Sequence, residues 1–172
     1  GDLPSDDEQN YIQEDCVSLL ESAGYIRYEI TSFSKKNFEC KHNLNYFRFG
    51  DYIAVGAGAH GKFRLTKTNM IRYKKSSDPY IYMKNIISNK SSYTEKLLSN
   101  SDKIFEFMLN NLRLMSGFSI VHFESATGLK YDTIERKLSE LNNLNLMEYY
   151  PTGYWKPTAL GFKFLDNLQC EF

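Results

Sequence analysis

The sequence predicts an α+β protein, and three observations lead to that class. A helical apolar period near the start is followed by a glycine and a short strand, a pairing typical of an α/β unit. The second half instead carries several helical patterns and two short strands joined by a Pro-Thr-Gly turn. With 172 residues, of which 42% are apolar, the chain suffices for one ample domain or two small ones.

The first predicted element is a helix that begins after Ser5. Ser5 and Glu8 have the spacing of a capping box, in which the serine accepts from a backbone N–H and the glutamate reaches back. The apolar stripe of this helix consists of Ile12, Cys16, Leu19, Leu20 and Ala23. Gly24 ends the helix, and residues 25–30 form the strand that follows.

Residues 51–100 contain weaker signals. Residues 51–55 are predicted as a second strand that enters the glycine-rich turn at 56–61 directly, and the basic residues 62–75 fit a hairpin or a long loop. Pro79 begins a helix that extends to about Ser88. The stretch 89–100 is rich in Ser, Asn and Lys, which favours a domain boundary between residues 1–90 and residues 101–172.

The second half predicts a winged-helix-like domain. A helix opens at Ser101, a short helix or turn covers 118–127, and a third helix begins at Asp132. Residues 146–150 and 154–156 are then two short strands, and Thr158 caps a last helix. Three helices, a two-stranded wing and a closing helix are the order expected of that domain type.

Charge and cysteine patterns limit the function classes. The net charge is zero, but residues 1–34 are acidic and residues 35–103 are basic. The basic region is either a set of solvated faces or a wall for an anionic small molecule. A neutral balance gives little support to nucleic-acid binding. Scattered cysteines at 16, 40 and 170 predict free thiols in a reducing, cytoplasmic setting, and their spacing cannot hold an iron–sulfur cluster.

The segment from Cys40 to Phe47 carries the candidate chemistry. On an extended segment Cys40 and His42 would face the same way, and either could ligate a metal or a heme iron. Asn43 could orient His42 through a hydrogen bond, and Tyr46 with Phe47 could stack on a flat ring. The plainer alternatives are loop residues that ligate nothing and an aromatic pair that belongs to the core.

The glycine-rich turn at 56–61 is a second candidate. Its glycines allow a ligand to approach the backbone closely, but their spacing does not follow the dinucleotide-binding pattern. A Rossmann-type site is therefore not predicted here.

Taken in order, these segments resemble a known family. Cys40-x-His42-Asn43-Leu44-Asn45-Tyr46-Phe47, Gly56-Ala57-Gly58-Ala59-His60-Gly61 and Thr158-x-x-Gly161-x-x-Phe164-Leu165 look like the radical-SAM heme chaperones of the HemW type, relatives of oxygen-independent coproporphyrinogen III oxidase. The HNxxYW motif of these chaperones reads His42-Asn43-Leu44-Asn45-Tyr46-Phe47 here. Phe47 replaces the tryptophan, so the stacking face is kept and the indole N–H is lost.

The resemblance implies a site. Heme would sit against residues 42–47, with His42 or Cys40 as the iron ligand, and Asn43, Tyr46 and Phe47 around it. Lys35, Lys36, Lys41, Arg48 or the basic run 62–75 would meet its propionates. Gly56, Ala57, Gly58 and Ala59 would lie near S-adenosylmethionine in the intact protein.

The resemblance also implies that the chain is a C-terminal half. Family members begin with a partial (β/α) barrel whose Cys-x3-Cys-x2-Cys motif holds a 4Fe–4S cluster, and this chain lacks that motif. We therefore expect the last helices and strands of the barrel followed by the winged-helix-like domain. The 4Fe–4S cluster and S-adenosylmethionine belong only to the full-length protein, and the fragment is expected to have no radical chemistry by itself.

Partners follow from the same resemblance. They are heme or porphyrin, heme-accepting respiratory proteins, and a second copy bound through the exposed barrel edge. The implied location is the cytoplasm, at the periphery of the inner membrane face.

One alternative is a genuine coproporphyrinogen III oxidase, which decarboxylates propionates by radical chemistry. The other is a winged-helix interaction module, although Asp132, Glu135 and Glu140 accompany Arg136 and Lys137 on its third helix and disfavour nucleic acid.

Overall fold

The computed structural model describes residues 3–172, which form eight helices and eight strands in three small antiparallel sheets. In chain order the elements are α1 (Asp6–Ser22), β1 (Ile26–Glu29), β2 (Ser32–Ser34), α2 (Lys41–Phe47), β3 (His60–Arg64), β4 (Met70–Lys75), α3 (Pro79–Ile87), β5 (Tyr93–Leu97), α4 (Asn100–Asn111), β6 (Phe118–Ser119), α5 (Ile120–Thr127), α6 (Asp132–Asn143), β7 (Met147–Tyr150), β8 (Tyr154–Pro157), α7 (Ala159–Lys163) and α8 (Leu165–Gln169). The sheets are β1-β2, β3-β4-β5 and β6-β8-β7.

Helix α1 confirms its predicted capping box. The Ser5 hydroxyl accepts from the Glu8 N–H at 3.4 Å, and the Glu8 carboxylate accepts from the Ser5 N–H at 2.8 Å. Gly24 follows the helix at φ +79°, a conformation that glycine adopts without steric cost. The predicted apolar stripe, however, faces outward, with Ile12 and Leu19 exposed at 55% and 70%.

Residues 40–47 correct the prediction of an extended segment. They form a helix, in which the Leu44 N–H donates to the Cys40 carbonyl and the Arg48 N–H donates to the Leu44 carbonyl, both at 2.9 Å. Cys40 is the N-cap of this helix and His42 lies in its first turn. Residues two apart on a helix point in different directions, so Cys40 and His42 do not share a face.

The strand predicted at 51–55 is also corrected. Only Tyr52 pairs with another strand, through an isolated bridge to Lys62 with hydrogen bonds of 2.8 and 3.0 Å. The Ala54 N–H donates instead to the Tyr73 hydroxyl at 2.7 Å. A side chain therefore satisfies the backbone donor that a strand would place in a ladder.

The basic stretch 62–75 is confirmed as a hairpin, formed by β3 and β4 in the register His60↔Lys74 to Arg64↔Met70. The stretch 89–100 is not an irregular linker, because β5 lies within it and pairs with β4. Every β5 residue is exposed, as suits an edge strand, and this explains its polar, linker-like composition. The division into residues 1–90 and 101–172 stays a prediction.

The second half contains most of the apolar core. Helix α4 begins at Asn100, one residue before the predicted start, and Ser99 is its cap. Phe107 packs edge-on against Phe118 and Phe123, at centroid distances of 5.2 Å in both cases. The same core extends into the first half through Phe49 and Met70. No helix among residues 3–172 is long and apolar enough to cross a membrane.

Candidate functional site

Helix α2 distributes the four motif residues over two faces. His42 and Tyr46 are four residues apart and share one face, while Asn43 and Phe47 share another. A seven-residue helix is too short to be stable alone in water, so its position depends on what it packs against. Contacts on both faces therefore decide how the motif is presented.

The first face carries an aromatic series that starts at an exposed imidazole. The His42 ring stands edge-on to the Tyr46 ring, with centroids 4.8 Å apart and an interplanar angle of 78°. Tyr46 in turn packs on Tyr52 at 4.3 Å. Tyr52 is a residue that sequence reasoning did not assign to the site.

The series ends in an ion pair. The Tyr52 hydroxyl accepts from Arg72 Nη1 at 3.1 Å, and Arg72 donates two hydrogen bonds to the Glu106 carboxylate, at 2.9 and 2.6 Å. Burial raises the pKa of Tyr52. Burial by itself would lower the pKa of Arg72, but the hydrogen bonds and the charge of Glu106 outweigh it, so the pKa of Arg72 lies above its usual value. The phenol is therefore neutral and the guanidinium charged near neutral pH.

The second face of α2 is held by another ion pair. Asn43 donates to the Tyr28 hydroxyl at 3.4 Å, and the Arg113 guanidinium lies 5.2 Å from the Phe47 ring centroid. Arg113 also donates to Glu29 at 3.0 Å. Asn43 thus contacts a tyrosine hydroxyl rather than His42, and Phe47 stacks on a guanidinium.

Glu29 is fully buried beneath this contact. Burial raises the pKa of its carboxyl, but hydrogen bonds from Ser32, Thr31 and Arg113 together outweigh burial and hold the pKa below the usual value. The Thr31 backbone N–H and hydroxyl donate to it at 2.8 and 2.5 Å. Glu29 is therefore an anion that fixes Arg113 over Phe47.

Cys40 stands apart from these contacts. It is exposed, its thiol is free, and its side chain makes no capping hydrogen bond to α2. Within residues 3–172 there is no group of three or more His, Cys, Asp or Glu side chains arranged to hold a metal ion. Cys40 and His42 are thus separate candidate ligands on one short helix.

The turn at 56–59 lies beside the end of β4. The Gly58 N–H donates to the Ser76 carbonyl at 2.7 Å, and the Lys75 N–H donates to the Ala59 carbonyl at 2.8 Å. Gly56 has φ +101°, and a Cβ placed there would meet nothing within 4 Å, so its backbone is open to a ligand. Gly61 differs, because a Cβ there would lie 2.2 Å from the Tyr73 ring.

Several basic residues expected to meet propionates have structural roles instead. Arg64 donates to the carbonyls of Ser125 and Ala126 at 2.6 and 2.7 Å. Lys62 is buried, donates to the Phe49 carbonyl at 2.9 Å, and lies 3.1 Å from the Phe49 ring centroid; burial lowers its pKa to about 7. The exposed cations nearest α2 in sequence are Lys35, Lys36, Lys41 and Arg48.

A groove of about 940 Å³ lies elsewhere, between α1 and the C-terminal helices α7 and α8. Glu14, Arg27 and Phe162 are among its lining residues, and none of the four motif residues lines it. The motif is therefore not part of this groove; His42 is exposed, while Asn43, Tyr46 and Phe47 are half-buried.

No family model matches the chain. The heme chaperone HemW of Haemophilus influenzae is 36% identical over 166 residues, which is 96% of this chain and 42% of that protein. The Escherichia coli HemW is 37% identical over 169 residues, 96% of this chain and 43% of its own length. By this similarity the chain belongs to the HemW-type family. It matches the C-terminal part of these relatives and spans less than half of their length.

A solved structure agrees at the level of the fold. Coproporphyrinogen III oxidase (HemN) from E. coli, described as a radical SAM enzyme, matches 99% of this chain and 42% of its own with a TM-score of 0.67. The sequences are only 14% identical, so this likeness concerns the fold alone.

Sequence reasoning missed the ion pairs that surround the HemW-type motif. Glu29 and Glu106 each lie within a run of apolar and aromatic residues, Tyr28-Glu29-Ile30 and Phe105-Glu106-Phe107. A lone carboxylate in such a run is a signal for a buried pair. The sequence pattern does not show which arginine forms the ion pair with each of these carboxylates.

Proposed function

We propose that this chain contributes the heme-contacting surface of a HemW-type heme chaperone and performs no radical chemistry by itself. The observation that carries the proposal is the exposed His42 imidazole, set edge-on to Tyr46 on a helix fixed from its other face. An exposed imidazole beside an aromatic ring suits the axial face of a porphyrin. Lys41 is the first residue of the same helix and Arg48 follows its last residue, and both supply charge for propionates.

His42 is the preferred iron ligand and Cys40 the second choice. His42 has an aromatic neighbour that limits the orientations of its ring, whereas the Cys40 side chain has no capping contact. Heme is the cargo in this proposal, and Tyr46 is the residue that supports the ligand. Asn43 and Phe47 fix the helix from its other face and do not stack on the macrocycle.

Hemin titration of the 172-residue chain tests this assignment. We expect His42→Ala to weaken binding and to shift the Soret band, and Cys40→Ala to leave both unchanged. The reverse pattern would assign the iron to Cys40. Identical affinity and Soret spectra for the wild type and both variants would remove both ligands from the proposal.

The architecture of the longer protein is part of the proposal. We propose that residues 1–90 complete a radical-SAM barrel and that residues 101–172 are the winged-helix-like domain. The element order α4-β6-α5-α6-β7-β8 and the strand order β6-β8-β7 support the second part. The open backbone at Gly56 supports a place for residues 56–59 beside S-adenosylmethionine in that longer protein.

The proposed partners are heme or porphyrin and heme-accepting respiratory proteins, met in the cytoplasm at the inner membrane face. A homodimer through an exposed barrel edge is a further prediction, and sedimentation velocity of the chain would test it.

Nucleic acid is not proposed, because both cations of α6 are paired: Arg136 with Glu140 at 3.0 Å and Lys137 with Glu171 at 3.0 Å. Such pairing leaves little charge for phosphates.

The oxidase alternative has less support. HemN is similar to this chain in fold, whereas the HemW relatives are similar in sequence over nearly the whole chain. Porphyrinogen decarboxylation by a longer protein that contains this chain, with its cluster reconstituted, would favour the oxidase. Heme transfer without decarboxylation would favour the chaperone.

A further inference from the structure

We infer that helix α4 positions the His42 imidazole through a relay of side chains, Glu106–Arg72–Tyr52–Tyr46. This inference rests on the proposed heme-contacting function of α2 and adds three positioning residues, Glu106, Arg72 and Tyr52. None of the three belongs to the HemW-type motif. The relay joins α4 to the exposed face of α2 by side-chain contacts alone.

The anchored end of the relay is Glu106. It lies on α4 directly before Phe107 and Met108, which are both fully buried in the core. Its side chain is 15% exposed, and both carboxylate oxygens accept from Arg72. A bidentate pair between a guanidinium and a carboxylate fixes the orientation of both groups. Arg72 is thereby held in one direction from a rigid element.

Tyr52 is the connection between the ion pair and the aromatic rings. Its backbone is fixed at both N–H and C=O by Lys62, and its hydroxyl is fixed by Arg72. These two anchors fix the long axis of the ring, from Cβ to the hydroxyl oxygen, so the ring cannot swing sideways without breaking one of the bonds. Tyr46 packs on this ring at 4.3 Å, so the orientation of Tyr52 decides where Tyr46 lies.

Tyr46 transmits the position to His42. The two rings stand 4.8 Å apart at an angle of 78°, an edge-to-face arrangement that has a preferred geometry. His42 is otherwise exposed, so this ring contact is what restricts its rotamers. An iron ligand restricted in this way loses less side-chain entropy when it binds.

A separate contact holds α2 itself. Arg113, which follows α4 closely, pairs with Glu29 and covers Phe47 on the other face of α2. Loss of the relay should therefore change how His42 is presented without removing α2 from its place. This separation distinguishes a positioning role from a merely structural one.

Hemin titration of the full 172-residue chain tests the relay with Tyr52→Phe and Glu106→Gln. Tyr52→Phe keeps the ring and removes only the acceptor for Arg72. We expect each variant to bind hemin about tenfold more weakly, the scale typical of residues that orient a metal ligand. We also expect a mixture of high- and low-spin ferric heme in electron paramagnetic resonance, with an unchanged far-UV circular dichroism spectrum for Tyr52→Phe.

Glu140→Gln is the matched control, because it removes a carboxylate from exposed ion pairs on α6. It should leave affinity and spin state as in the wild type. If His42→Ala weakens binding while Tyr52→Phe and Glu106→Gln retain wild-type affinity and spin state, the relay is wrong and the proposed function stands. If His42→Ala itself binds like the wild type, the proposed ligand and the relay both fail.

Discussion

Residues 98–172 and residues 3–97 bury different kinds of side chain. In residues 98–172, the second region, the fully buried positions are mostly apolar, and Phe107, Phe123 and Leu138 are completely inaccessible. In residues 3–97, the first region, two charged side chains, Glu29 and Lys62, are buried at 0% and 2% exposure, whereas the second region buries one, Lys103, at 4%. Helix α3 buries no residue, and among the described side chains of α1 none is buried.

The proposed site in residues 3–97 depends on residues 98–172 for its support. Residues 3–97 carry the HemW-type motif and its charged neighbours, but they have little apolar core of their own. Both carboxylate–guanidinium pairs around α2 use a partner from the second region, Glu106 or Arg113. The second region is thus the platform on which the proposed heme-contacting motif of the first region is held.

The largest effect should come from the apolar platform. We expect Phe107→Ala to lower the free energy of unfolding by about 4 kcal/mol, because it removes a buried ring and leaves a cavity. Chemical denaturation followed by tryptophan fluorescence, with Trp155 as the probe, measures the change. Ile87→Ala is the control, since Ile87 is 84% exposed on α3. Equal losses for the two variants would contradict the division into platform and exposed region.

The buried anion should give the next largest effect. Arg113→Ala removes the cation beside Glu29, and an unpaired buried charge costs about 3 kcal/mol. Thermal and denaturant unfolding at pH 7 measure the loss.

The pH dependence gives a second readout for the same pair. The pKa of Glu29 is lower in the folded state, so its contribution to stability is present above the unfolded pKa and is lost as the pH falls through the folded pKa. We expect the variant to lose less stability than the wild type between pH 5 and pH 3, on the order of 1 kcal/mol less. Parallel curves over this range would show that Arg113 does not stabilise the anion.

Lys62 should also make stability rise with pH, but over a higher pH range than Glu29. Its pKa falls to about 7 in the folded state, so the unfolded chain binds more protons between pH 7 and the ordinary lysine pKa. The stability contribution of this group therefore rises with pH over that range. Lys62→Met should remove the rise and, by eliminating a desolvated cation, stabilise the protein at pH 6 by about 2 kcal/mol.

Urea unfolding at pH 6 and pH 9 measures this prediction. Lys74→Met is the control, because Lys74 is an exposed lysine on the neighbouring strand β4. A wild-type slope retained in Lys62→Met would show that other groups cause the dependence.

The smallest effect is expected from removing a helix cap. Helices α1 and α4 both begin with a serine capping box, so the two caps can be compared. Ser99→Ala removes the cap of α4, where the hydroxyl accepts from the Asp102 N–H at 3.1 Å, and should cost about 1 kcal/mol of global stability. Ser5→Ala removes the same type of cap from α1, which buries little, so only local fraying is expected.

Hydrogen exchange of the two helices distinguishes these outcomes. Ser5→Ala should raise exchange within α1 and leave exchange in α4 unchanged. A fall in global stability with Ser5→Ala, equal to that with Ser99→Ala, would place α1 in the same cooperative unit as the core.

Local signals in the sequence predicted a large part of the fold. The capping box at Ser5, the hairpin within 62–75 and the helix beginning at Asp132 depend on neighbouring residues, so they can be read without a partner. The same holds for the HemW-type motif, which places the chain in its family.

Some elements could not be predicted, because their hydrogen bonds or packing come from distant residues. Residues 40–47 resemble a loop or strand in isolation, and they form α2 where Arg113 and Tyr52 pack around it. Residues 51–55 resemble a strand, but the Tyr73 hydroxyl takes a backbone donor from a ladder. Strand β5 looks like a linker because both of its faces are exposed.

The sequence alone supplies the side chains of the proposed heme site: an imidazole, a thiol and two aromatic rings within eight residues. Their exposure depends on the folded chain, because helix α2 turns Phe47 toward Arg113 and Tyr46 toward Tyr52 and leaves His42 exposed. The physical reason is that a short helix takes its orientation from its neighbours. Arg72 and Arg113, on either side of α2, pair with carboxylates that lie 34 and 84 residues away in the chain.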